Sequence, residues 1–190
     1  MIREIVMGLW YSYGVRCISG VKWGFKGFYT DSEESWIELT PSIVKDIHHL
    51  GGTLLGSSRG GFSEEDNTDR DKILAALKAR GINHMYCIGG DGTHRAIKKL
   101  ADKIKEEKLR ISIVGVPKTI DNDLAVMDKT FGFETAVEVA QLAIESANIE
   151  ANSAQNGVGL VKLMGRYAGH IALHASLASR DVIINISPLI

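Results

Sequence analysis

The chain has 190 residues, of which 24% are charged, and a formal net charge of -1. That length supports one domain, or one and a part, with a substantial core. The balanced charge argues against a nucleic-acid groove or an anionic membrane surface, and no apolar run reaches the ~20 residues of a membrane helix.

In chain order, Ile2, Ile5, Val6, Leu9 and Tyr13 form the apolar stripe of a helix over 2–13, stopped by Gly14. Arg3 and Glu4 interrupt the early apolar stretch, so it does not read as a signal peptide. Residues 15–21 suit a short strand, and 22–40 a loop whose Trp23, Phe25, Phe28 and Tyr29 read as a packed satellite cluster rather than a stacking platform. Thr40-Pro41 is a cap followed by an N1 proline, predicting a helix that runs to Gly51-Gly52. His48 and His49, side by side, would face different sides of it, and the six histidines show no metal-ligand spacing. Thr53–Gly56 reads as a strand feeding Ser57-Ser58-Arg59-Gly60-Gly61. An arginine among serines and glycines at the end of such a strand suits an anion; the alternative is a surface loop. Residues 63–71 are acidic and loop-like, and a helix carrying Ile73, Leu74 and Leu77 ends at Gly81.

The centre of the chain is residues 85–123. An apolar run, Met85–Ile88, leads into Gly89-Gly90-Asp91-Gly92-Thr93, and a helix starting near Thr93 follows with Ile97, Leu100, Ala101 and Ile104 on one face. A second apolar run, Ile111–Val116, ends in Pro117-Lys118-Thr119-Ile120-Asp121-Asn122-Asp123. Strand, loop, helix, strand, loop predicts parallel neighbouring strands, with both polar loops at their carboxyl ends, where open α/β sheets bind ligands. The glycines around Asp91 let backbone N–H groups approach a phosphate, with the helix dipole behind them. Asp91 itself would repel that phosphate unless Mg²⁺ lay between them. Asp121 or Asp123, beside such a site, could take a proton from an attacking hydroxyl, which is the layout of phosphoryl transfer. The alternative is that both loops are Asp/Asn/Gly turns.

Met127–Phe133 reads as a connector, with Thr130–Phe133 a hinge. A long helix over 134–151 turns Ala136, Val137, Ala140, Ala143, Ile144 and Ala147 inward. Gly157–Leu163 and Val182–Ile186 are expected strands, separated by a small-residue helix over 167–179. Arg166, after the first of these, suits an anion clamp or a helix-entry surface position. The two cysteines, Cys17 and Cys87, read as reduced, buried thiols of a cytoplasmic protein. The overall reading is α/β, with a doubly wound parallel sheet.

GGDGT, PKTIDND, FGFETAVE, VKLMGRYAGHIA and LASRDV, in this order and spacing, resemble the 6-phosphofructokinase family, and its plant-type ATP-dependent branch in particular. The resemblance runs along essentially all of the chain. It implies a Rossmann-like fold in which residues 1–131 form a nucleotide- and Mg²⁺-binding lobe and residues 132–190 begin a substrate-binding lobe. It implies transfer of phosphate from ATP to fructose 6-phosphate, in glycolysis. Asp121 would be the catalytic base; Asp91 and Asp123 would serve the metal. Arg59, Gly60, Gly90, Asp91, Gly92 and Thr93 would contact nucleotide. Lys118, Thr119, Ile120, Asp121, Met164, Gly165 and Arg166 would bind substrate.

In this family an Asp in place of Gly92 accompanies pyrophosphate as donor, so Gly92 favours ATP, whereas Lys118 occurs with either donor. The family also opens with a strand and a Gly-rich phosphate loop ahead of the helix at Ile2, and has a Pro-Glu whose Glu falls where Leu189 stands. The resemblance therefore implies a chain shortened at both ends. Feeble or absent activity is expected of it alone, with self-association or association with full-length subunits. From another class comes the alternative of a non-catalytic fragment that binds nucleotide or docks onto full-length subunits. A pyrophosphate-dependent enzyme is the third reading.

Overall fold

A computed structural model describes residues 1–30, 33–58, 60–62, 67–125, 127–166 and 168–186. Its described residues form two compact units, Met1–Met85 with Ala96–Val114, and Tyr86–Arg95 with Gly115–Ile190.

In the first unit, helix α1 (Ile2–Met7) continues as a π-helical turn over Gly8–Ser12, with Val15 N–H donating to Leu9 O at 2.9 Å and Gly14 in the left-handed region. Strand β1 (Ser19–Val21) pairs antiparallel with β2 (Trp36–Glu38). Val6, Leu39 and Val44 form a buried cluster, with Ile2, Ile18, Ile37 and Leu55 packed around it. Of the aromatics in the intervening loop, Phe28 meets Trp36 edge-on at 5.4 Å and Phe25 meets Phe62 at 5.5 Å, whereas Trp23, expected in the same packed cluster, is exposed.

Helix α2 is only Pro41–Val44, followed by a 3-10 turn over Ile47–His49. The tighter turn brings the exposed His48 and His49 rings to 3.8 Å, so they do not diverge as an α-helix would have them. Thr53–Gly56 is not a strand. It closes a turn through Gly56 N–H to Thr53 O, and Leu55 O is taken by the Trp23 N–H, so no ladder forms there. The strand that was to carry Arg59 is therefore missing, and Arg59 itself lies outside the described residues. Gly60 has a left-handed φ and open space around it.

Helix α3 (Thr68–Ala79) starts inside the segment that reads as an acidic loop, because Asp69 and Asp71 occupy its first turn, where negative charge is favoured. Ile73, Leu74 and Leu77 are buried as expected.

Strand β3 (His84–Gly89), helix α4 (Asp91–Glu106) and strand β4 (Ser112–Thr119) follow the expected strand–helix–strand order. A parallel three-stranded sheet in the order β3-β4-β5 results, β5 being only Phe131–Gly132. Its register sets Lys118 opposite Phe131 and Thr119 opposite Gly132. Helices α5 (Phe133–Asn152) and α6 (His170–Ser179) pack in the second unit around Ala140, Ile144 and Ala175. Ala143, expected inward on α5, is exposed.

Gly157–Leu163 and Val182–Ile186 form no strand, and Val158, Leu160 and Ile183 are each more than 85% exposed. A strand needs a neighbour for its N–H and C=O groups, and none of the described residues supplies one. Cys87 is buried and its thiol is pushed up to about 12 by desolvation, whereas Cys17 is exposed, against the expectation that both are buried.

Candidate active site

The two polar loops both lie in the second unit and meet there. Strand β3 ends at Gly89, and α4 begins at Asp91 rather than near Thr93. Gly90 O accepts the first helical hydrogen bond, from the His94 N–H at 3.1 Å, and lies 2.9 Å from His94 Nδ1. Asp91, Gly92 and Thr93 are thus first-turn residues, whose amides have no partner within the helix and lie at its positive end.

The glycines here are not interchangeable. A Cβ on Gly89 would sit 2.3 Å from Thr93 Oγ1, so the Thr93 side chain folds back over a position open only to glycine. A Cβ on Gly90 would lie 3.5 Å from Thr119 Cβ, which places the end of β4 directly against the first loop. A Cβ on Gly92 would meet nothing within 4 Å. The second of these measures brings the Asp91 turn and the Thr119–Asp123 loop together.

Asp91 holds Arg95, one helical turn on, at 2.6 Å. The pair is solvent-exposed, so it is screened and readily exchanged for another cation. Arg95 and His94 were not singled out from the sequence, although the i, i+4 acid–base spacing is legible there.

The second loop begins later than expected. Strand β4 continues through Pro117 to Thr119 because β5, a two-residue strand with no periodicity to read, pairs with Lys118 and Thr119. Thr119 Oγ1 accepts from the Asp121 N–H at 3.1 Å. Asn122 has a left-handed φ of +53°, a conformation Asn tolerates better than most residues. Its Oδ1 accepts from the Thr130 N–H at 2.8 Å and its Nδ2 donates to Asp128 O at 3.2 Å. Thr130, buried, donates its hydroxyl proton to Thr119 O at 2.7 Å. Thr130, the first residue of the segment that reads as a hinge, is thus bound to the Thr119–Asn122 loop. Among the described residues no hydrogen bond or ion pair engages the Asp121 carboxylate, which is half-buried; Asp123 and Lys118 are exposed.

Met164, Gly165 and Arg166 are exposed, with Gly165 at a φ of +154° and Met164 on a stretch without strand pairing. Among the described residues they make no hydrogen bond to either loop. Ile120 is half-buried, its Cγ2 3.4 Å from where a Gly132 Cβ would stand.

The family model for phosphofructokinase matches residues 1–188. The chain belongs to the phosphofructokinase family. It is 51% identical to ATP-dependent 6-phosphofructokinase 7 of Arabidopsis thaliana, over 96% of this chain and 36% of that protein. It is 49% identical to the ATP-dependent 6-phosphofructokinase of Borreliella burgdorferi, over 96% of this chain and 39% of that one. The chain thus spans little more than a third of the length of these phosphofructokinases. The fold agrees: phosphofructokinase from Saccharomyces cerevisiae superposes with a TM-score of 0.76 at 24% identity, covering 94% of this chain and 25% of that one. The sheet and flanking helices are accordingly those of the Rossmann-like phosphofructokinase fold.

The donor set of the site is consistent with a hard divalent cation. Asp91, Asp121 and Asp123 offer carboxylate oxygens and Thr93 and Thr119 offer hydroxyls, with no thiolate or imidazole among them. Mg²⁺ favours this chemistry, bound by one or two carboxylates and completed by phosphate oxygens and water. No group of three or more closely placed His, Cys, Asp and Glu residues occurs among the described residues, so an all-protein cage is absent there.

Proposed function

We propose that these residues supply the metal, nucleotide and proton-accepting parts of an ATP-dependent 6-phosphofructokinase, which transfers the γ-phosphoryl group of ATP to the 1-hydroxyl of fructose 6-phosphate. The observation that carries this reading is the approach of Gly90 to Thr119, which joins an acidic Gly-rich turn to a loop bearing an unengaged carboxylate. Phosphoryl transfer asks little more of a protein than this: charge neutralisation on one side and an aligned, deprotonated hydroxyl on the other.

In this reading the α4 first turn takes the nucleotide phosphates through the amides of Gly92 and Thr93, with Gly90 beside them; Arg59 and Gly60 are nucleotide contacts by the family resemblance alone. Asp91 and Asp123 hold Mg²⁺, which when bound neutralises phosphate charge. Asp121 takes the proton from the sugar hydroxyl. Lys118, Thr119 and Ile120 line the sugar phosphate, and Met164, Gly165 and Arg166 complete the substrate side. Residues 1–131 serve the nucleotide and 132–190 begin the substrate part. Two free cysteines fit a reducing compartment, and the cytoplasm is the proposed location. Self-association is part of the same proposal.

The test is a coupled assay of the purified protein with fructose 6-phosphate and Mg²⁺, with ATP and pyrophosphate in parallel. Whatever ATP-dependent turnover the protein shows, feeble as it is expected to be, is expected to fall about 10²–10⁴-fold in Asp121→Ala with nucleotide binding retained. Turnover with pyrophosphate alone would overturn the choice of donor. Turnover indifferent to Asp121→Ala would overturn the base. A folded protein that turns over neither donor would favour the non-catalytic alternative.

A further inference from the structure

Resting on the assignment of Asp121 as base, we infer that Thr130 and Asn122 are positioning residues that fix the Asp121 backbone from both flanks. Asp121 lies between Thr119 and Asn122, and Thr130 binds both. Its hydroxyl donates to Thr119 O at 2.7 Å and its N–H donates to Asn122 Oδ1 at 2.8 Å. The Thr130 hydroxyl has one proton, and the shorter contact takes it; the same oxygen stands 3.3 Å from Asn122 Oδ1. Asn122 is in turn fixed by its Nδ2 on Asp128 O, which settles the orientation of its amide.

These bonds do what the backbone alone could not. Asn122 sits at a φ of +53°, where most side chains are disfavoured. That kink turns the chain immediately after Asp121, and the Asn122 amide group is the anchor that holds it. On the other side, the Asp121 N–H is bound to Thr119 Oγ1, and the carbonyl of that same Thr119 is the one Thr130 holds. Thr130 is 5% exposed, so its bonds are shielded from water, and it directly precedes the two β5 residues that pair with Lys118 and Thr119. A carboxylate must stand within hydrogen-bond reach of the proton it accepts. A displacement of about 1 Å can cost around 10²-fold in rate. Thr130 never needs to touch substrate to set that distance.

The experiment compares wild type, Thr130→Val, Thr130→Ser, Asp121→Ala and Thr130→Val/Asp121→Ala. Valine keeps the β-branched shape and removes the hydroxyl; serine keeps the hydroxyl. Two readouts are taken: kcat and KM in the coupled assay with ATP and fructose 6-phosphate, and amide hydrogen exchange at Asp121. Thr130→Val is expected to lower kcat by about tenfold or more with the KM for ATP within about twofold, and to speed exchange at Asp121. Thr130→Ser is expected to restore both, and Thr130→Val to add nothing once Asp121 is Ala.

Exchange at Asp121 unchanged in Thr130→Val would overturn the inference even in a protein without measurable turnover. So would a Thr130→Ser variant as impaired as Thr130→Val, or a loss confined to KM. Full turnover in Asp121→Ala, by contrast, would defeat the base assignment while exchange still decided whether Thr130 fixes the loop.

Discussion

At the scale of single residues, the glycines of the first loop divide by what surrounds them. Gly89 is required because Thr93 occupies the space of a side chain, whereas a Cβ on Gly90 would only touch Thr119 in ordinary contact. Gly92 has open space, so its reason is not packing. A carboxylate there would instead stand at the end of α4 that receives phosphate. Gly92→Asp is accordingly expected to leave the melting temperature essentially unchanged while weakening ATP binding by about tenfold or more, equivalent to about 1.4 kcal/mol. Calorimetric titration beside a thermal melt checks both halves. An unfolded variant would show that the site is crowded after all, and unaltered ATP affinity would show that the phosphates lie elsewhere.

Which of these residues could be read in advance depended on whether their role was local. Asp91 and Asp121 announce themselves by chemical type in Gly- and Asn-rich turns. Asn122 reads as a turn residue, because its bonds run to Thr130, eight positions away. The sequence marks Thr130 only as the first residue of a hinge, and its bonds to Thr119 and Asn122 are not legible there.

At the scale of elements, the long periodic segments were legible and the short ones were not. Ile97, Leu100 and Ile104 are buried on α4, as their spacing requires, whereas Ala101, expected on the same face, is exposed. β5, two residues long, exists only because β4 offers it a partner, and no pattern that brief can be recognised in isolation. Thr53–Gly56 failed in the opposite sense: its residues suit a strand, but the Trp23 N–H takes Leu55 O and a turn closes instead.

Helix α5 shows what burial adds to periodicity. Ile144 is 6% exposed and Leu142, two residues earlier, is 65% exposed. Ile144→Ala is expected to destabilise by about 2–5 kcal/mol, through lost burial and the cavity left among Ala140 and Ala175. Leu142→Ala is expected to fall within about 0.5 kcal/mol of wild type. Urea midpoints of the two variants decide it, and equal losses would mean that α5 is packed on both faces.

At the scale of the whole molecule, the fold class was legible because the strand–helix–strand unit at 84–119 is continuous in sequence. The strands expected at 157–163 and 182–186 were not realised, although their apolar runs are real. Ile183 and Ile184 are 97% and 74% exposed. An apolar run states a preference for burial; whether it becomes a strand is decided by the edge it finds. Among the described residues that edge is missing.

Whether the Asp91 turn and the Asp121 loop form one metal–phosphate site can be tested without turnover. The measurement is paramagnetic broadening of backbone amide resonances on titrating Mn²⁺–ATP into the isotopically labelled protein. If the two loops share the site, the amides of Gly90–Thr93 and of Thr119–Asn122 broaden together and recover together when Mg²⁺ is added in excess. Broadening at one loop with the other untouched, or at neither, would contradict a shared site.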